Sequence, residues 1–222
     1  MYSANLFGIQ MDTVYGLYLE DYAVPAPEVQ TNYVEVARRD GAIDKTAPDG
    51  VVRYKDREWE SLIFSKTGDD VSGDDLQEFS ATIMNAIHGR SGNIIFDDDS
   101  NYKWIGRAFV NKVDCENNGK IIVDVNLITQ PYKIGLDAIT KTVTLSSTEQ
   151  NVTLKNGRKP LIPKIVVTNS VQVKFTLNGT QKTLNFTQGT YNNSDLILFE
   201  GDTIVTVSGQ GTITFEYSEM SL

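Results

Sequence analysis

Residues that build catalytic and metal sites are scarce in this chain. Its 222 residues include one cysteine, one histidine and two tryptophans. Cys115 has no partner for an internal disulfide, and one histidine leaves no ligand set for a zinc site around it. It reads as a small, partly buried strand residue. His88 falls in the last turn of the helix described below, where a cation is favoured by the dipole. Catalytic use would need a nucleophile and an orienting partner that the sequence does not single out. No P-loop, no Gly-x-Ser-x-Gly elbow and no paired-cysteine motif is present, so neither an enzyme nor a cofactor is expected. No apolar run approaches the roughly 20 residues that span a bilayer, so no membrane insertion is expected. No positively charged start precedes an apolar stretch, which predicts synthesis in a cytoplasm without a signal peptide.

Positive charge is also short. There are 20 Lys+Arg against 29 Asp+Glu, a formal net charge of −9. The imbalance is local: residues 1–135 hold 13 Lys+Arg and 22 Asp+Glu, and residues 136–222 hold 7 of each. Phosphate contact requires clustered Lys and Arg, so stable nucleic-acid binding is not expected. The length allows one large or two modest domains, each with its own core.

Composition changes near Gln130-Pro131-Tyr132-Lys133. Both tryptophans, the histidine and the cysteine precede it; Thr, Val, Ile and Asn dominate after it. The expected domains are therefore 1–134 and 135–222. In the first, Ser72-Gly73-Asp74-Asp75 spells a capping box, with its acidic pair at the positive end of a helix dipole. Leu76, Phe79, Ile83 and Ile87 follow at spacings of three and four, and Gly89 ends the pattern. Strands are expected over residues 59–64, 94–96, 102–113 and 121–127. Asn117-Asn118-Gly119 turns between the last two. In the second domain Val171, Val173, Phe175 and Leu177 alternate with polar residues, and Asn178-Gly179 marks a hairpin. Residues 203–208 and 212–217 are expected to pair around Gly209-Gln210-Gly211. The fold class is mainly β with one helix: an N-terminal antiparallel β domain with one packed α-helix, then a C-terminal β-sandwich.

Few motifs propose a ligand. Asp97, Asp99 and Asn101 alternate as in a calcium loop, but the sixth position is Tyr102 and the twelfth is Ala108, so a solvated loop is expected and no metal site. Asn151, Asn178, Asn185 and Asn192 match the glycosylation pattern, which is idle without secretion. Tyr191, in the polar loop of residues 188–195, is the candidate for stacking a sugar, and a carbohydrate-binding module on a β-rich scaffold is the alternative functional reading.

One stretch carries more order than the rest. Pro27-Glu28-Val29-Gln30 and Tyr33-Val34-Glu35-Val36 lead to Arg39-Asp40-Gly41-Ala42-Ile43-Asp44, and Val51-Val52-Arg53-Tyr54-Lys55-Asp56-Arg57 returns. This succession resembles the distal tail protein of long-tailed (siphovirus-type) phages and prophages. Phe7-Gly8-Ile9 with Tyr15-Gly16-Leu17 looks like that family's first strand pair. Phe96-Asp97-Asp98-Asp99 is similar to its Asp-rich loop, and Pro131-Tyr132-Lys133 to the segment closing its first domain. The residues carrying the likeness are Asp40, Gly41, Asp44, Tyr54, Arg57, Pro131 and Tyr132, all with structural roles. The resemblance implies a hexameric ring at the virion tail tip, made in the bacterial host cytoplasm, with the first domain forming the ring. The implied partners are itself, the tail tube protein, the tail-associated hub protein, and receptor-binding proteins or host surface glycans. The second domain lacks the long insertions that some relatives use to hold receptor-binding proteins.

Overall fold

The computed structural model describes residues 2–67, 73–116, 119–177 and 179–222. The chain divides into two units, Met1–Lys133 and Ile134–Leu222. The first begins with β1 (Ala4–Leu6), a turn at Phe7-Gly8, β2 (Ile9–Gln10), the five-residue helix α1 (Met11–Tyr15) and β3 (Tyr18–Asp21). Then come β4 (Tyr33–Val34), β5 (Ile43–Asp44), β6 (Arg57–Thr67), α2 (Gly73–Ile87), β7 (Ser91–Phe96), β8 (Tyr102–Cys115) and β9 (Lys120–Thr129). Antiparallel pairing gives the order β2-β1-β7-β8-β9-β6-β3.

The expected first strand pair is corrected here. Phe7-Gly8 is the β1–β2 turn, and Tyr15-Gly16 is the end of α1, where Gly16 takes φ 70°. Five residues between two strands are too few to display a helical period, yet Met11 is fully buried and fixes that turn of helix to the core.

The longer helix follows its sequence pattern. Ile83 and Ile87 are fully buried, and Leu76 and Phe79 pack partly buried against the same cluster as Trp59, Phe64, Val123 and Val125. Gly89, just past its end, takes φ 73°, a conformation that costs glycine no Cβ clash. The cap expected at Ser72 and the turn residues Asn117, Asn118 and Asn178 lie outside the described residues. Gly119 and Gly179, which follow those asparagines, have φ of 78° and 76°, and β8 and β9 pair as a hairpin.

Strand β10 (Lys133–Gly135) begins on the last residue of the first unit, and the second unit continues with β11 (Ile139–Thr144), β12 (Gln150–Asn156), β13 (Lys164–Val167), β14 (Val171–Leu177), β15 (Thr180–Phe186), β16 (Gly189–Asn192), β17 (Gly201–Gly209), β18 (Thr212–Tyr217) and β19 (Met220–Ser221). Two four-stranded sheets, β11-β18-β13-β16 and β12-β17-β14-β15, enclose one core that includes Leu154, Val173, Val207, Ile213 and Phe215. The β14–β15 hairpin forms as its alternation predicts. The expected β17–β18 hairpin does not: β17 pairs with β12 and β14, and β18 with β11 and β13. Turning at Gly209 (φ 139°) and Gly211 (φ 83°), the chain crosses from one sheet to the other. Val207 and Ile213 thereby both reach the shared core. Alternation specifies an inward face for each strand but not the sheet that supplies its neighbour.

Among the described residues no helix is long and apolar enough to cross a membrane. Truncating the buried helix face should cost about 2–5 kcal/mol for Ile83→Ala. Met84→Ala, on the exposed face, should stay within about 0.5 kcal/mol. Urea unfolding followed by the fluorescence of Trp59 and Trp104 measures both, and equal losses would contradict the packing described.

Candidate functional site

From Tyr22 to Asp56 no residue is buried. This segment forms an arm that leaves the sheet at the end of β3 and returns at the start of β6. In the arm, β4 and β5 pair as a short ribbon, Tyr33 opposite Asp44 and Val34 opposite Ile43. The turn between them includes Asp40-Gly41, with Gly41 at φ 75°. Local hydrogen bonds hold its shape: Asp44 Oδ1 accepts from Thr46 N–H at 2.8 Å, and Thr46 Oγ1 accepts from Asn32 N–H at 3.1 Å. Closer to the body, Gln30 N–H donates to Arg53 C=O and Lys55 N–H to Glu28 C=O, each at 2.8 Å. The exposed ion pairs Lys55–Glu28 and Arg53–Asp49 add little by themselves. Tyr33, Val34 and Val36 stay exposed, at 61%, 37% and 44%.

Both ends of the arm are fastened to one aromatic cluster. Tyr22 stacks on Phe96 with ring centroids 4.8 Å apart, Phe96 lies 5.4 Å from Trp59, and Trp59 meets Trp104 edge-on at 5.2 Å. Arg57, where the arm returns, places its guanidinium 4.8 Å from the Trp104 ring centroid. That guanidinium is buried. Its Nε donates to Pro131 C=O at 2.8 Å and a terminal nitrogen donates to Pro25 C=O. One side chain thus ties the outgoing leg, the returning leg and the close of the first unit. No carboxylate pairs with Arg57 among the described residues, and burial lowers its pKa. Beside it Tyr54 packs edge-on against Tyr132 at 5.9 Å.

The Asp-rich turn supplies the second set of fastenings. Asp97 Oδ2 accepts from Ser3 N–H at 2.9 Å and its Oδ1 from Gln10 Nε2 at 3.2 Å. Asp98 accepts from the Tyr22 hydroxyl, and Asp99 pairs with Lys133 at 2.7 Å. Three adjacent carboxylates therefore engage four different segments of the chain and share no common point, and among the described residues no metal-holding group of acids, His or Cys is gathered.

The structure divides the residues singled out in the sequence. Tyr54, Arg57, Pro131 and Tyr132 come together at the base of the arm; Asp40, Gly41 and Asp44 lie along its exposed ribbon. Tyr191 is half-buried, tilted against Phe186 at 4.9 Å, and its hydroxyl donates to Thr187 C=O at 3.1 Å. The ring thus packs in part against Phe186, and its hydroxyl is engaged within its own loop. His88 accepts the Val110 N–H at Nδ1 (3.0 Å), a tie between helix end and strand. Sequence reasoning missed Tyr22 and Trp104, whose partners are distant in the chain. The one local signal was Pro25-Ala26-Pro27, just past the end of β3, where the chain cannot resume regular pairing.

Replacing Arg57 by Met should leave two carbonyls without their donor and cost about 1–3 kcal/mol. Amide exchange should speed up across residues 23–56 before it does in α2; uniform acceleration would show that Arg57 supports the whole unit and not the arm. Burial, the hydrogen bond to Asp98 and the nearby Asp99 charge raise the Tyr22 pKa well above the ordinary tyrosine value of about 10. With the folded value raised, its contribution is fully present below about pH 10 and is lost as pH climbs through the folded pKa. In a tyrosinate absorbance titration, Tyr22→Phe should remove a late step and leave the ordinary steps in place; loss of an ordinary step would refute the anchor.

No protein-family model matches the chain, and no curated protein does. The solved structures are more informative. The chain is similar to the crystal structure of the SPP1 Dit (gp 19.1) protein, described as a paradigm of the hub adsorption apparatus in phages that infect Gram-positive bacteria. The TM-score is 0.67 at 18% sequence identity, over 100% of both chains. A phage P2 baseplate structure in its activated, calcium-containing conformation also matches, over 97% of both chains. Its TM-score of 0.36 and 7% identity are too low to carry an argument. The chain thus has the fold of the SPP1 Dit protein along its whole length.

Proposed function

We propose that this chain is a distal tail protein: a non-enzymatic virion component that forms a hexameric ring at the tail tip. The ring joins the tail tube to the hub or baseplate that carries the host-adhesion device. The fold likeness over the full chain supports the reading, and the arm is the observation that carries it. A two-stranded ribbon in water is at best marginally stable. This one presents Tyr33, Val34 and Val36 to solvent on a segment without any buried residue. A partner surface resolves that, and head-to-tail contacts between copies close into a ring when the rotation permits. Each contact should bury roughly 1,000 Å² or more.

The charge distribution fits a conduit. Six copies of the acidic first part bring −54 (6 × −9) into one assembly. Where that charge lines the lumen, DNA passes a wall of its own sign and does not adhere. A ring map with a neutral or basic channel would overturn this part of the proposal.

Light scattering on a sizing column, with negative-stain images of the same peak, tests the ring. A six-fold particle of 148.2 kDa (6 × 24.7 kDa) with a central hole is expected. A protein that stays monomeric both alone and on isolated tail tips would refute it.

A further inference from the structure

The ring reading does not say which surface receives the arm. We propose that the arm of one copy docks into a groove on the outer face of the β6–β9–β8 sheet of the next copy, with Arg38 and Arg39 set against Glu58 and Glu60. The inference rests on the ring proposal and names its contact.

The groove is produced by two irregularities side by side. Glu60 and Ser61 form a bulge in β6, between Trp59 opposite Leu127 and Leu62 opposite Val125. Asn111 forms another in β8, between Val110 opposite Val125 and Lys112 opposite Asp124. Both flank Asn126 on β9. Ser61 has φ 55°, a left-handed backbone that a non-glycine residue adopts only when its surroundings impose it. Asn126 Oδ1 imposes it by accepting from Ser61 N–H at 2.9 Å, and is itself held by Asn111 Nδ2 at 2.7 Å. Bulges bend and twist a sheet and re-aim its side chains. Here they open a groove lined by Glu58, Glu60, Phe109, Asn126 and Ile128. Ile128 is 41% exposed between Glu58 and Arg107, and Arg107 turns its guanidinium to Gly89 C=O. The rim is therefore acidic and its floor apolar.

The arm offers the complement. Its apolar residues Tyr33, Val34 and Val36 are exposed, and Arg38 and Arg39 follow them. Glu35 and Asp40 sit among these, so the tip is balanced and not basic. That balance matters against the body it approaches. Residues 23–56 hold 5 cations and 6 anions, net −1, whereas the rest of residues 1–133 holds 8 cations and 16 anions, net −8. Bodies of like charge repel, so the near-neutral arm is the part that can approach a second body at least cost. Among the described residues, neither arginine and neither groove glutamate has an ion-pair partner. The apolar patch of the arm fits the Phe109–Ile128 floor, and the arginine pair fits the glutamate rim.

Charge reversal combined with cross-linking tests the contact. The Arg38→Glu/Arg39→Glu and Glu58→Lys/Glu60→Lys proteins should each assemble roughly tenfold or more weakly than the parent. All four changes in one chain should restore assembly, and thermal unfolding of the unassembled protein should not move, since all four side chains are exposed. A photo-reactive residue at Val36 should cross-link to the peptides bearing Glu58–Glu60 or Ile128 of a second copy. Rings that form normally in the Arg38→Glu/Arg39→Glu protein, or a Val36 cross-link elsewhere on a second copy, would overturn this contact and leave the ring reading intact. A parent protein that neither assembles nor cross-links, on tail tips as well as alone, would overturn both.

Discussion

A single buried guanidinium sets the direction of the arm. Placing an unpaired cation inside a protein is costly unless every donor is satisfied and the charge is spread. Arg57 offsets that cost with backbone carbonyls from two separate segments and the face of Trp104 in place of a carboxylate. The geometry is specific for arginine, because its planar fork can donate in two directions and stack at once, which a lysine ammonium cannot. Pro25 and Pro131 lack N–H groups and interrupt regular pairing, and there their carbonyls accept from Arg57. Tyr22, on the same aromatic cluster, fixes the other leg. Apart from the Tyr54–Tyr132 contact, what lies beyond these two residues is local turn chemistry and exposed ribbon.

The Asp-rich turn completes the same design from a different direction. Adjacent like charges repel, and three in a row usually invite a cation. Here each finds its own donor: the N-terminal strand region, the arm's first aromatic residue, and Lys133. The turn therefore acts as a junction that holds β1, the arm and the end of the first unit in register with β7. On the proposed docking, rigidity at the base and exposure along the arm belong together, since an arm delivers its apolar residues to a fixed place only if its root does not swing.

The two bulges beside Asn126 show the same economy on the sheet. A regular β6–β9–β8 face would present a flat alternation of side chains. Ser61 in a left-handed conformation, stabilised by an asparagine pair, breaks that alternation and leaves apolar floor between two glutamates. On the proposed reading, function in this chain is carried by shape and by the placement of charge.

What the sequence determined was a set of features written in near-neighbour terms. The α2 stripe Leu76–Phe79–Ile83–Ile87, its stop at Gly89, the alternation of β14 and the glycines Gly119 and Gly179 were legible because helical and strand periods and positive-φ glycines are local. The order of turns from Glu28 to Arg57 was legible for the same reason. The tertiary structure decided what distance along the chain conceals. The helix α1 was too short to show a period, and β17 and β18 diverged into different sheets because an inward-facing pattern does not name its partner. The burial of Arg57 and the dispersal of Asp97, Asp98 and Asp99 to separate donors depend on residues up to 94 positions away. Side-chain type fixes which interactions a residue can make, and only the folded arrangement of distant segments fixes which of them it does make.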